Sequence, residues 1–357
     1  MASFDITKYD KNFATEKFNR DDIQFYDARQ EPIKIYGIQT EGPYFVRLPE
    51  AVAKSVSEGV WALHRCTAGG RARFRTNSPF IAIIAEMDTV CVMPHMTPTG
   101  SAGFDLYVGT KFSGIFRGPC QTCNEYTGIV NLGDSNGEMR DITINFPTYS
   151  NTKSLTIGIA RDAVIEAPTP YTIETPFLYY GNSITQGGCC SRPGNQYQGY
   201  IERAFDANYV NLGFSGNGKG EPQMADYIAE QKMSLLVMDY DHNAPNAEWL
   251  EKTHEPFFLR IREKHPDLPV IMMSSPNFSH GIEAHEVRTA IVEKTYRNAV
   301  ERGDKNVYFI HGSDLFTAVK DRDACTVDGC HPNDLGFYSM AQVLMETIEK
   351  IFPRKQK

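Results

Sequence analysis

Phe177-Leu178-Tyr179-Tyr180-Gly181-Asn182-Ser183-Ile184-Thr185-Gln186-Gly187-Gly188 is the stretch whose reading decides the fold. Phe177 to Tyr180 form a short apolar run bounded by Pro176 and Gly181, the pattern of a buried central strand. Gly181 and Asn182 both tolerate positive φ, so the sequence predicts a sharp bend there. Ser183 would then stand at the carboxyl end of a strand, where open α/β sheets place their ligands. Gly-Asn-Ser alone has a plainer reading, a turn that needs small polar residues. Ser183 becomes a candidate nucleophile only if the rest of the chain supplies partners for it.

Downstream, short apolar runs recur at Tyr209–Leu212, Leu235–Met238, Val270–Met273 and Val307–Ile310. Helical stretches lie between them. Leu250, His254, Phe257, Phe258 and Ile261 fall on one face at helical spacing, as do Val292, Tyr296, Ala299 and Val300. Phe337, Met340, Ala341, Leu344, Ile348 and Ile351 close the chain in the same rhythm. Strands alternating with helices predict a parallel sheet with right-handed crossovers, and five such units predict a doubly wound three-layer α/β/α domain.

Upstream the period changes to two. Phe104, Leu106 and Val108 alternate with Asp105 and Tyr107; Ile142, Ile144 and Phe146 with Thr143 and Asn145; Leu155, Ile157 and Ile159 with Thr156 and Gly158. This is the signature of half-buried antiparallel strands. Phe80 to Met87 is a more continuous run, expected as an inner strand. Helix is expected only as a turn or two near Pro49 to Gly59. The expectation is a β-sandwich over residues 1–170 and the α/β domain over 171–357, separated by the Pro168/Pro170/Pro176 connector. No reactive grouping is visible in the first part.

Composition narrows the function. A chain of 357 residues with 41% hydrophobic and 22% charged residues is in the ordinary globular range. Lys and Arg number 36 against 44 Asp and Glu, a net charge of -8, which disfavours a nucleic-acid binder. No apolar run approaches the ~20 residues of a membrane span. Met1 to Arg20 lack the apolar core of a signal peptide, so a cytoplasmic or already processed protein is expected. The eight cysteines do not form a disulfide scaffold in a chain this long. Cys120-Gln-Thr-Cys123 lacks a second ligand pair, which favours free thiols over a metal.

Loops after successive parallel strands meet at one sheet edge. They carry Ser183; Asn211-Leu212-Gly213-Phe214-Ser215-Gly216-Asn217-Gly218; Asp239-Tyr240-Asp241-His242-Asn243-Ala244; and Asp328-Gly329-Cys330-His331-Pro332-Asn333-Asp334. A serine needs a base, and the base needs an acceptor that holds its tautomer. His331 and Asp328, three residues apart in a tight loop, fit those roles. An oxyanion needs fixed donors. The backbone N–H of Gly216, the side-chain amide of Asn243 and the N–H of Ser183 are the candidates.

These four blocks, in this order, resemble the SGNH (GDSL-type) hydrolase superfamily, over residues 176 to 351. The resemblance implies a flavodoxin-like α/β/α domain with catalytic Ser183, Asp328 and His331. It places the oxyanion hole at Gly216, rather than Gly213, and Asn243. No metal or organic cofactor is implied. The preceding sandwich, expected to be jelly-roll-like, is similar to that of carbohydrate acetylesterases. That analogy implies short acyl, above all acetyl, esters of small molecules or oligosaccharides as substrates. Alternatives are a lysophospholipase or thioesterase on the same triad, or a non-catalytic carbohydrate-binding protein.

Two departures stand out. Asn182 replaces the aspartate usual before the serine, and Asp241-His242-Asn243-Ala244 replaces the usual Gly-x-Asn-Asp. Other readings stay open: His242 as a second base or pocket wall, Asp239 and Asp241 with His242 as metal ligands, Cys330 as nucleophile, and a Cys325–Cys330 bond. Cys189-Cys190 has no assigned role. The absence of Gly-x-Ser-x-Gly argues against an α/β-hydrolase.

Overall fold

The computed structural model describes residues 20–117, 125–276 and 282–354. The Cys120/Cys123 pair lies outside them. The strands are β1 Ile23–Asp27, β2 Lys34–Tyr36, β3 Gln39–Glu41, β4 Tyr44–Val46, β5 Arg71–Thr76, β6 Phe80–Thr89, β7 Phe104–Val108, β8 Lys111–Phe116, β9 Glu125–Asn131, β10 Arg140–Asn145, β11 Asn151–Ala160, β12 Ile165–Glu166, β13 Ile173–Gly181, β14 Ala207–Gly213, β15 Leu235–Asp239, β16 Val270–Met273 and β17 Val307–Ile310. The helices are α1 Glu50–Val56, α2 Glu58–Leu63, α3 Pro98–Ser101, α4 Ser183–Gln186, α5 Tyr197–Phe205, α6 Pro222–Ala229, α7 Ala247–Lys264, α8 Ile282–Glu301 and α9 Asp334–Ile351.

Strands β13 to β17 form one parallel sheet in the order β14-β13-β15-β16-β17. That 2-1-3-4-5 order is flavodoxin-like and puts β13 at the switch point. The pleat sorts β13 between two cores. Leu178 and Tyr180 join the one that holds residues of α6, α7 and α8, while Phe177 and Tyr179 join the one lined by α5 and α9. All four are at most 1% exposed, each worth roughly 1.5–3 kcal/mol of burial. The expected apolar face of α7 is the buried one. On α8, Val292 and Ala299 are buried but Val300 is 46% exposed, because it lies one position past the inward stripe. β13 starts earlier than expected: the chain is already extended at Ile173, and Pro176 sits in a register irregularity where its missing N–H costs nothing.

The antiparallel part is a sandwich. One sheet runs β1-β11-β6-β9 and the other β12-β5-β10-β7-β8 with β2 beside β5. Ile81, Ile83, Leu155 and Ile157 from the first share a core with Phe74, Leu106, Ile142 and Ile144 from the second. The continuous run Phe80–Met87 is an inner strand, as expected. The half-buried expectation needs correction for β7 and β10. Asp105, Tyr107, Thr143 and Asn145, the polar alternates, are all buried too. Their face meets the parallel part instead of water.

That joint is polar and closed. Asp105 Oδ2 accepts from the Gly194 N–H at 2.9 Å, and Asp105 Oδ1 accepts from Asn145 Nδ2 at 2.8 Å. Arg192 donates to the Tyr107 hydroxyl at 3.1 Å. A Cβ at Gly194 would strike Tyr107 and Asp105, so only glycine fits there. Arg71, fully buried, donates to the Tyr171 hydroxyl at 3.1 Å, Asn208 Oδ1 at 2.7 Å and the Tyr209 carbonyl at 3.0 Å. Burial opposes its charge, but Tyr171, Tyr209 and Glu202 around it favour the charged form more strongly. Arg47 reaches the carbonyl of Gly213, at the end of β14.

Candidate active site

The serine turn is built by capping, not by left-handed backbone at its start. Asn182 is extended, with φ −98°, and Gly181 is not among the positive-φ glycines, so the expected bend is corrected. Gly181 is required for close approach instead: a Cβ there would lie 2.3 Å from the Asp239 carbonyl and from Thr185 Oγ1. Asn182 Oδ1 accepts from the Ile184 and Thr185 N–H groups at 2.7 and 3.4 Å. These bonds cap α4 and leave the Ser183 N–H, at the first helical position, outside the side-chain cap. Gly187 ends the turn at φ 96°.

Asn182 also explains itself. Its Nδ2 donates to Asp239 Oδ1 at 3.3 Å, and Thr185 Oγ1 donates to Asp239 Oδ2 at 2.7 Å. Burial first, then the neighbouring Asp241 charge, push the fully buried Asp239 carboxyl well above its ordinary range. An aspartate at 182 would set a carboxylate against a buried carboxyl that already resists ionisation.

Ser183, 5% exposed, places Oγ 3.0 Å from His331 Nε2. His331 Nδ1 lies 2.8 Å from Asp328 Oδ2. Asp328 Oδ1 accepts from the His331 and Cys330 backbone N–H groups at 2.7 and 3.0 Å, an Asx turn that needs Gly329 at φ 80°. Burial by itself would raise the Asp328 carboxyl. The His331 N–H and imidazole and the Cys330 N–H outweigh it and hold the carboxyl down at about 2. Asp328 is therefore ionised at neutral pH, where it can fix the imidazole tautomer.

Gly216 follows β14 in a loop lying on the serine turn. The Phe214 N–H bonds the Gly181 carbonyl at 2.9 Å, and the Ser215 N–H bonds Gln186 Oε1 at 2.9 Å. The two glycines of this block differ. The Gly213 N–H is taken by Asn211 Oδ1 at 2.9 Å, and a Cβ there would strike Thr185 and Gln186. Gly216 is exposed, sits at φ 68° and has open space beside it. Asn243 ends the single turn Asp241–Asn243 that follows β15, and its Oδ1 is buried without a partner among the described residues.

Several residues reach the site from positions that no local sequence pattern marks. His95 arrives from the antiparallel part, its ring centroid 5.3 Å from that of His331. Tyr149 donates its hydroxyl to the Ser183 carbonyl at 3.3 Å. Met96, Tyr149 and Cys189 form one small buried cluster. The first part of the chain thus does contribute to the reactive set, contrary to expectation. Asp334, three residues beyond His331, accepts from the Ser191 N–H and from Asn195 Nδ2, both at 2.8 Å, and ties the two triad segments together.

The metal, cysteine-nucleophile and disulfide readings are not supported by the geometry. Asp239 is engaged by Asn182 and Thr185, and Asp241 accepts from the Ser275 N–H at 3.1 Å, so neither is free for a metal with His242. His242 stacks on His285 at 5.7 Å, and its Nε2 lies 3.4 Å from Cys330 Sγ. Burial, then the Asp328 charge, raise the Cys330 thiol to about 11, which makes it a poor nucleophile. Cys325 and Cys330 are both free thiols, not a disulfide.

A parallel sheet with a serine, an imidazole and a carboxylate in hydrogen-bonded series at its switch point defines a serine-hydrolase-type protein. Residues 174–349 match the model of the GDSL-like Lipase/Acylhydrolase family. Residues 23–165 match a model named GxDLY, the N-terminus of SGNH-hydro-type esterases. Gly103-Phe104-Asp105-Leu106-Tyr107 fits that name and is the joint described above. The chain belongs to the SGNH, or GDSL-type, hydrolases.

Among solved structures it is similar to a protein assigned as a GDSL-like lipase from Bacteroides ovatus, with a TM-score of 0.84 and 29% identity over 94% of this chain and 99% of that one. It is similar to the salicylyl-acyltransferase SsfX3 of a tetracycline biosynthetic pathway, at TM-score 0.75 and 18% identity over 93% and 98%. The acetyl xylan esterase Est2A of the rumen bacterium Butyrivibrio proteoclasticus matches at TM-score 0.57 and 13% identity over 92% and 99%. No curated protein is a significant match. No helix among the described residues is long and apolar enough to cross a membrane.

Proposed function

We propose that the protein is a serine esterase that removes short acyl groups, above all acetyl, from carbohydrate esters. The observation that carries the chemistry is the series Ser183 Oγ–His331 Nε2 at 3.0 Å and His331 Nδ1–Asp328 Oδ2 at 2.8 Å. Ser183 attacks the ester carbonyl while His331 takes its proton and then delivers it to the leaving alcohol. Asp328 stabilises the imidazolium. The Ser183 and Gly216 N–H groups and the Asn243 amide hold the oxyanion, a contribution of about 3–4 kcal/mol for a single donor. Water, activated by His331, releases the acid from the acyl-enzyme.

His95 stands beside His331, and Tyr149 holds the Ser183 carbonyl from the antiparallel side. The fold shared with an acetyl xylan esterase supports an acetylated sugar as the alcohol part. A second reading follows from the greater likeness to the acyltransferase: the same acyl-enzyme passed to an acceptor hydroxyl instead of water. The test is p-nitrophenyl ester hydrolysis across acyl lengths, beside Ser183→Ala, followed by acetylated oligosaccharides. Acetate cleaved best, with the variant inactive, is the expected result. A preference for long chains would move the substrate to a lipid or thioester. Ester products formed with added alcohols faster than free acid would favour transfer.

A further inference from the structure

Cys189 lies two residues beyond the end of the serine turn, and the hydrolytic chemistry does not use it. It is buried, and its backbone sits at φ 71°, a left-handed conformation costly for a non-glycine residue. Its Sγ, a ring nitrogen of His95 and a ring nitrogen of His331 all lie within 4.8 Å of one another. Thiolate and imidazole are the donors that zinc-class divalent cations take in tetrahedral sites. Bonds of about 2.0–2.1 Å to nitrogen and about 2.3 Å to sulfur set neighbouring donors roughly 3.3–3.6 Å apart. Movements on the order of 1 Å, within the reach of side-chain rotation, bring the three donors to that spacing.

We propose that His95, Cys189 and His331 form an inhibitory site for a zinc-class divalent cation. His331 Nδ1 is committed to Asp328, so Nε2 is the nitrogen left to coordinate. The strand of chain leading into Cys189 lies on that edge of the ring: a Cβ at Gly188 would stand 3.4 Å from His331 Cδ2, the carbon bonded to Nε2. Asp328 then serves as the outer carboxylate that orients a metal-bound imidazole. On binding, Cys189 gives its thiol proton to solvent and becomes the thiolate ligand. The Nε2 lone pair that accepted the Ser183 proton goes to the cation, and water takes the fourth position. Ser183 loses its base, and acylation stops. His95 comes from the antiparallel part, so the cation also clamps the two parts of the chain together at the site. Inhibition presupposes the serine mechanism; cation binding does not.

The test uses cadmium as probe in the full chain carrying Cys120→Ser and Cys123→Ser, so that the Cys-x-x-Cys pair contributes nothing. Titration is followed by the ultraviolet thiolate-to-cadmium charge-transfer band. One thiolate increment is expected, lost in Cys189→Ser and shifted to at least about tenfold higher cadmium in His95→Ala, the equivalent of about 1.4 kcal/mol. It persists in Cys330→Ser and in Ser183→Ala. An increment that survives Cys189→Ser, or that vanishes with Cys330→Ser instead, would overturn the site. Zinc inhibition of ester hydrolysis is measured beside it, each variant against its own metal-free rate. Cys189→Ser and His95→Ala are expected to need at least about tenfold more zinc. Equal sensitivity in all variants, with the cadmium band behaving as expected, would overturn inhibition while leaving the binding site.

Discussion

The triad and the Asp105 joint are both polar clusters, yet they are finished in opposite ways. At the joint, Asp105 is wholly enclosed, and the Gly194 N–H and the Asn145 amide supply its hydrogen bonds. At the triad, Asp328 and His331 remain partly open to solvent, and the serine turn and the Gly216 loop keep N–H groups outside its hydrogen-bonded series. A closed polar cluster has nothing left to offer a substrate and serves to hold the antiparallel sheet against the segment around Gly194. An open one with unspent donors is where a reacting group can be received. The general lesson is that the completeness of hydrogen bonding separates structural from chemical polarity.

Substitutions should keep the two clusters apart. Ser183→Ala is expected to lower kcat by about 10⁴-fold or more while leaving the melting temperature unchanged. Asp328→Asn should lower kcat by roughly 10³–10⁴-fold through the wrong imidazole tautomer, again without unfolding. Asn243→Ala should cost about 10²–10³ in kcat with little change in KM, as loss of one oxyanion donor does. Steady-state kinetics on p-nitrophenyl acetate beside thermal melts checks all three. Asp105→Ala should do the reverse. It strands the Gly194 N–H and the Asn145 amide, so about 2 kcal/mol or more of stability is lost, read by urea unfolding. A triad variant that unfolds the chain, or a joint variant that silences it while stable, would blur the distinction.

The smallest effect sharpens it further. The Asp239 carboxyl beneath the serine turn is raised above its unfolded value, chiefly by burial. Its contribution to stability is present below the unfolded pKa and is lost as pH rises through the folded one. Asp239→Asn removes that loss, so its melting temperature should vary less with pH than that of the wild type. Parallel curves would contradict the linkage.

The parallel half was legible because its strands are buried on both faces and its helices on one stripe, so periodicity reports burial directly. The four loops were legible because their residues lie in short local blocks. The antiparallel half was legible as strands but not as a joint. Alternation at Phe104–Val108 says that Asp105 and Tyr107 face away from the sandwich core. It cannot say that protein, not water, waits there. The same blindness hid His95, which reaches His331, and Tyr149, which reaches Ser183, both only through tertiary packing. The bend expected from Gly181 and Asn182 was placed by propensity, whereas the chain uses a side-chain cap and spends its positive φ at Gly187 and Cys189.

The central claim is that Ser183 is a nucleophile driven by His331. A fluorophosphonate forms a bond from the serine oxygen to phosphorus and expels fluoride, so it labels an activated serine irreversibly. Peptide mass spectrometry after such labelling is the most direct measurement. The account predicts a single modified residue, Ser183, with labelling lost in Ser183→Ala and strongly slowed in His331→Ala. Label on another residue, or equal labelling with and without the imidazole, would contradict it.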